Sequence, residues 1–189
     1  INFMKMVLRF LWKVSFVFML GLGWVYGQSK PQVFLLTDIG GDTDDEQSLT
    51  RFLYYADHMD IKALCATSRL GHGQDTKPEL IRSHVQAYRE VYPNLLLHSS
   101  EFPSPDYLES IIKDGQGDQQ KVGEGFDSEA SEYLIQVVDE AVEVVHVPVW
   151  GGLRELAQAL WKVKNTRNEA EVDAFCRKIL VHAIGDQDG

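Results

Sequence analysis

The sequence predicts an α/β protein with an open, mainly parallel sheet and helices on both faces, around a Rossmann-like core. Three observations carry this. From Pro31 onward, short runs dense in Val, Ile and Leu alternate with amphipathic stretches. The runs are apolar at nearly every position, as in strands covered on both faces. Glycines and polar residues follow the runs repeatedly. With 44% apolar and 11% aromatic residues in 189, the composition supports one domain with a real core.

The expected strands are QVFLLTD (32–38), IKALCATS (61–68), NLLLHSS (94–100), VEVVHVPVW (142–150) and KILVHAIG (178–185). Helical periodicity appears between them: Leu49, Phe52, Leu53 and Ala56 recur at i, i+3, i+4 and i+7, as do Leu134, Val137, Val138 and Ala141. Leu153, Leu156, Ala157, Leu160 and Trp161 repeat the pattern. This βαβ order requires parallel strands and right-handed crossovers. The stretch PSPDYLESIIKDGQGDQQKVGEGFDSEAS (103–131) reads as a polar insertion with one short helix, a candidate flap, because Gly115, Gly117, Gly123 and Gly125 favour irregular backbone.

Residues 1–28 have the layout of a signal peptide: Lys5, Arg9 and Lys13 precede the apolar run VSFVFMLGLGWVYG, with no acidic residue. The uncharged run is shorter than the roughly 20 residues of a membrane-spanning helix. Cleavage near Gly27, no stable membrane anchor afterwards and a secreted or periplasmic location are therefore expected. No cysteine lies near that point, so a lipid-anchored form is not indicated. The chain begins at Ile1 and stops just after an apolar run, which reads as a fragment, C-terminally truncated.

Without residues 1–29, 15 basic side chains face 28 acidic ones, a formal charge of −13. Nucleic acid is excluded as a partner, since phosphate binding rests on Lys and Arg. Cys65 and Cys176 are the only cysteines, both in apolar patterns, and read as buried thiols.

Ligands of open α/β sheets bind beyond the carboxyl ends of the strands. There the sequence places TDIGGDTDDEQSL, with Asp38, Asp42, Asp44 and Asp45 crowded together. Like charges this close raise one another's cost of ionisation, and a bound cation removes that cost. Capping of the helix that follows accounts for one carboxylate but less well for four. Hard oxygen donors suit Ca²⁺ or Mg²⁺ rather than zinc. An EF-hand is excluded, because position twelve of the loop is Leu49 or Leu53 instead of glutamate.

On the same edge, Trp150-Gly151-Gly152 closes the fourth run, either as a tight turn or as a way to bring a backbone carbonyl to an ion. His72, Asp186 and Asp188 follow the second and fifth runs and are candidate substrate contacts, or merely solvated. His84, His98, His146 and His182 read as space-filling. Asp127, Glu129 and Glu132 read as helix-start charges.

In TDIGGDTDDEQSL, VYPNLLLHSSEFPSPDYL, GEGFDSEAS, VPVWGGLRELAQALW and IGDQDG, the chain resembles the nucleoside hydrolase superfamily over residues 31–189. It is most similar to the secreted nucleoside hydrolase-like domain of bacterial proteins often labelled cellulose-binding. The resemblance implies that Asp38 and Asp45, with the Trp150 carbonyl and in one alignment Asp42, hold Ca²⁺, and that Asp44 is the general base. Two departures stand out. Ile39 replaces the family's proline, with two extra residues between Asp38 and Asp44, and Arg154-Glu155 replaces Thr-Asn after the glycine turn. The classical enzymes place further sugar ligands and the leaving-group acid in a later part, beyond this chain.

The implied function is a secreted, Ca²⁺-dependent hydrolase of N-glycosyl, nucleoside-like bonds, acting on a small-molecule glycoside or carbohydrate. The alternative is a carbohydrate (cellulose)-binding module without turnover, for which Tyr92, Phe102, Tyr107 and Phe126 are candidate aromatics. A phospho-acceptor receiver is the weaker third reading. The sequence is silent on association into a homo-oligomer.

Overall fold

The computed structural model describes residues 29–41, 43–68 and 74–184. The expected signal peptide, Asp42, His72, Asp186 and Asp188 lie outside the described residues.

Five parallel strands form one sheet in the order β3-β2-β1-β4-β5. In chain order the elements are β1 (Gln32–Thr37), α1 (Thr43–Tyr54), a 3₁₀ turn (Ala56–His58), β2 (Asp60–Ala66), α2 (Pro78–Leu95), α3 (Pro105–Ser110), β3 (Ile112–Asp114), α4 (Glu129–Glu140), β4 (Val145–Val149), α5 (Arg154–Thr166), α6 (Glu169–Cys176) and β5 (Ile179–Ala183).

The doubly covered sheet follows from the continuous apolar runs. On one face Phe34, Leu36, Ala63, Cys65, Val145 and Val147 pack under α4, α5 and α6 through Leu134, Val138, Leu156 and Phe175. On the other, Leu35, Ile61, Leu64 and Ala66 pack under α1, α2 and α3 through Leu49, Leu53, Ile81, Val85 and Leu108. Successive residues of β1 thus serve opposite cores, which is why an alternating pattern is absent. Helix starts are specified locally. Ser128 and Ser131 form a reciprocal capping box for α4, as do Asn168 and Glu171 for α6.

Several expectations need correction. NLLLHSS is not a strand: it continues the end of α2 into turns, with Leu95 buried and Leu97 83% exposed. The third strand is Ile112–Asp114, inside the stretch read as a polar insertion, where it pairs with β2 at the sheet edge. Cys176 is exposed, unlike buried Cys65, whose thiol is pushed well above its ordinary pKa chiefly by burial. Three histidines fill no core. His98 is exposed, and the rings of His146 and exposed His182 lie within 7° of parallel with nitrogens 3.1 Å apart.

Asp127, Glu129 and Glu132 do more than face a helix start. Lys162 bridges Asp127 at 2.7 Å and Glu132 at 2.6 Å, and Lys113 binds Glu129 at 3.0 Å. Of the candidate aromatics, Phe102 is buried and Tyr92 is half-buried against Tyr88, while Tyr107 and Phe126 keep exposed surface. Among the described residues no helix is long and apolar enough to cross a membrane.

Candidate functional site

Strand order reverses direction at β1: the chain runs outward to β2 and β3, then returns to place β4 on the other side of β1. Connections leave such a point in opposite directions and open a crevice at the carboxyl ends of the two central strands. Both borders of that crevice are tied to β1. The Thr67 amide donates to the Thr37 carbonyl at 2.8 Å, and the Trp150 amide donates to the Leu36 carbonyl at 2.9 Å.

Asp38 leaves β1 at this point and Gly151 leaves β4, and the two touch. A Cβ on Gly151 would overlap the Asp38 carboxyl group, so this glycine is required by close approach. The chain then turns through Gly40, whose φ of +84° suits glycine, and the Gly41 amide closes the turn on the Asp38 carbonyl at 3.0 Å. The turn delivers the chain to α1, whose first turn contains Asp44, Asp45 and Glu46.

Asp38 and Asp45 are both buried, at 9% and 6% exposure. The Thr37 hydroxyl donates to the Asp45 carboxylate, fixing it over the end of β1. Burial, then the Asp45 charge, then a hydrogen bond with Asp45 raise the Asp38 pKa to about 7. Asp44 is exposed, and its carboxylate accepts the Asp45 amide at 3.2 Å. Trp150 is half-buried with its ring edge-on to Phe52, centroids 5.9 Å apart. With its amide tied to β1, its backbone is held at the border of the crevice.

The raised pKa has a definite sign for stability. Asp38 gives up its proton near its ordinary value of 3.8 in the unfolded chain but near 7 in the folded one. The stabilising contribution of its protonated form is therefore complete below pH 3.8 and lost as pH rises to about 7. In EDTA, the urea midpoint of wild type relative to Asp38→Asn is expected to fall between pH 4 and pH 7. A pH-independent difference between the two proteins would contradict this.

The residues present fit a hard cation. Two buried, touching carboxylates carry an unfavourable mutual charge that a divalent ion offsets, and the surrounding donors are oxygens. Among the described residues no three His, Cys, Asp or Glu side chains converge at metal-binding distance. An ion here would therefore combine the Asp38–Asp45 pair with backbone or ligand oxygens.

Sequence reasoning missed a second polar structure beside the crevice. Arg154 and Glu155, at the start of α5, are buried at 2% and 0% exposure and pair at 3.1 Å. Arg154 donates to the carbonyls of Lys121, at 2.6 Å, and Phe126. Glu155 accepts the Gln116 amide at 2.8 Å and the Ser128 hydroxyl. One turn on, Gln158 accepts the Gly123 amide at 2.8 Å and donates to the Gly123 carbonyl at 2.9 Å. The glycine-rich stretch 115–128 is thus pinned to α5. The sequence of this helix, RELAQALWKVKNT, mixes polar and apolar residues about equally and sets none of the three apart as buried.

This is a doubly wound α/β domain with an acid-lined crevice at its topological switch point. Residues 32–189 match the family model described as cellulose-binding Sde182, nucleoside hydrolase-like domain, and the chain belongs to that family. A solved structure of a nucleoside hydrolase-related hypothetical protein from Saccharophagus degradans, associated with carbohydrate metabolism, is 38% identical with a TM-score of 0.80. The similarity covers 84% of this chain and 39% of that one, so the chain spans well under half of its neighbour's length. Among curated proteins none matches.

Proposed function

We propose that the domain is part of a secreted, calcium-dependent hydrolase of N-glycosyl bonds, with Asp38 and Asp45 holding the ion and Asp44 acting as general base. The observation that carries this reading is the buried Asp38–Asp45 pair pressed against Gly151 at the switch point. Trp150 would supply its carbonyl, and Asp42 lies within the same loop. When bound, calcium would bring a water and two vicinal hydroxyls of a furanose together and lower the pKa of the water. The exposed Asp44 carboxylate, unlike the buried pair, is open to solvent and suited to taking a proton from water attacking the anomeric carbon. The local negative field favours the cationic sugar transition state. Secretion rests on the signal-like residues 1–28.

A nucleoside panel incubated with calcium and the full-length protein tests this reading. Wild type is expected to release free base. Asp44→Asn is expected to lose at least a hundredfold in rate, within the usual contribution of a general base, while keeping its calcium isotherm. Asp38→Asn is expected to lose calcium binding as well. Equal turnover by Asp44→Asn and wild type would remove Asp44 from the mechanism.

Exposed Tyr54 and Tyr55, each 58% accessible, together with the family's cellulose-binding description, favour a second reading. In it the scaffold holds a carbohydrate without turnover. Retention on cellulose with no base released from any nucleoside would select it.

A further inference from the structure

β1 ends on a residue that the core alone does not call for. The strand QVFLLT is buried from Val33 onward, and its other buried side chains are apolar. Side chains alternate across a strand, so Thr37 points to the same face as Leu35, toward the core shared with α1. Valine would fill nearly the same space with no polar atom, whereas a buried hydroxyl is unfavourable unless it is bonded. Thr37 is 0% exposed, and its hydroxyl donates to one carboxylate oxygen of Asp45.

The sheet fixes the donor. Thr37 is paired with Ala66, its carbonyl accepts the Thr67 amide at 2.8 Å, and branching at Cβ restricts its χ1. The acceptor comes from another element. Leu49 and Leu53 hold α1 against Leu35 of the sheet, which brings Asp45 in the first turn of α1 over the end of β1. The last torsion of an aspartate is broad, so helix packing alone leaves the carboxylate plane free to turn. Hydrogen bonds with Thr37 on one side and Asp38 on the other set that plane.

We infer that Thr37 is a positioning residue for cation binding: its hydroxyl orients the Asp45 carboxylate, so that Asp38 and Asp45 meet an ion with their oxygens already converged. The inference rests on the proposed assignment of this pair as calcium ligands. A ligand ordered before the ion arrives loses less freedom on binding. Removing a group that orients a metal ligand typically costs about ten- to a hundredfold in metal affinity. The role needs a hydroxyl at this place and has no need of the threonine methyl group.

The test compares the full-length protein with Thr37→Val, Thr37→Ala and Thr37→Ser. Two quantities are measured: the calcium isotherm by calorimetry, and the melting midpoint in EDTA and at one fixed calcium concentration. Thr37→Val and Thr37→Ala, which lack the hydroxyl, are expected to bind calcium about ten- to a hundredfold more weakly than wild type. Their midpoints are expected to rise less on adding calcium, because stabilisation by a ligand follows its affinity. Thr37→Ser is expected to keep the wild-type isotherm, with any loss of the methyl contact confined to the midpoint in EDTA.

A merely structural bond between β1 and α1 would lower the EDTA midpoint of Thr37→Val and Thr37→Ala and leave their isotherms within about tenfold of wild type, and that result overturns the inference. A serine variant as weak as the valine one also overturns it, by making methyl packing responsible. Failure of both Thr37→Val and Thr37→Ala to fold in calcium overturns it by making the hydroxyl a requirement of the fold. Failure of the parent reading is separate: wild type itself then gives no calcium isotherm, and this inference falls with it.

Discussion

Arg154→Met is expected to destabilise the domain by about 3–5 kcal/mol, the usual cost of stranding one member of a buried ion pair. The guanidinium and the Glu155 carboxylate are both inaccessible to solvent and lie 3.1 Å apart. Removing the cation leaves Glu155 charged in a low-dielectric interior and also leaves the carbonyls of Lys121 and Phe126 without their donor. Urea unfolding followed by far-ultraviolet circular dichroism measures the loss. The double variant Arg154→Met/Glu155→Leu is expected to recover part of it, because no buried charge then remains unpaired. A loss below 1 kcal/mol in the single variant would mean that the pair is solvated, contrary to its burial.

Gly151→Ala is expected to be comparably severe, with a cost of about 3 kcal/mol or more, at or beyond the upper end of the ordinary range for overpacking. The added methyl would have to occupy the position of the Asp38 carboxyl group, with the Asp38 β-carbon itself only 2.5 Å away. Trp150, just before, is bonded to β1, and Asp38 follows the last residue of β1 directly. Because the clash falls on a proposed ion ligand, calcium affinity should fall along with stability. In Asp38→Gly/Gly151→Ala the stability losses are expected to be strongly non-additive, the signature of direct contact. Additive losses would show that the alanine is accommodated elsewhere.

Much of this molecule was legible before its structure, for identifiable reasons. β1, β2 and β4 came from runs such as VFLL, because burial demands apolar residues at closely spaced positions. β5 came from the same kind of run, LVHA, although residues 180–183 are exposed at the sheet edge. The helix stripes at Leu49–Ala56 and Leu134–Ala141 were readable because each is buried along one side. The third strand was not. Three residues are too few to show a period, and the leucine-rich run Leu95–Leu97 was the stronger decoy although only Leu95 is buried. The Asp38–Asp45 contact was foreseeable from clustering of like charge after a strand.

The roles of Arg154, Glu155 and Gln158 were not foreseeable in the same way. Charged and amide residues on a helix are ordinarily solvated, and these are buried only because a stretch some thirty residues earlier folds back over them.

The contact between the Asp38 carboxyl group and the bare α-carbon of Gly151 constrains descent as well as folding. Two positions more than a hundred residues apart share one small volume. Across relatives of this chain, a side chain should appear at the second position only in lineages that have surrendered the acid at the first.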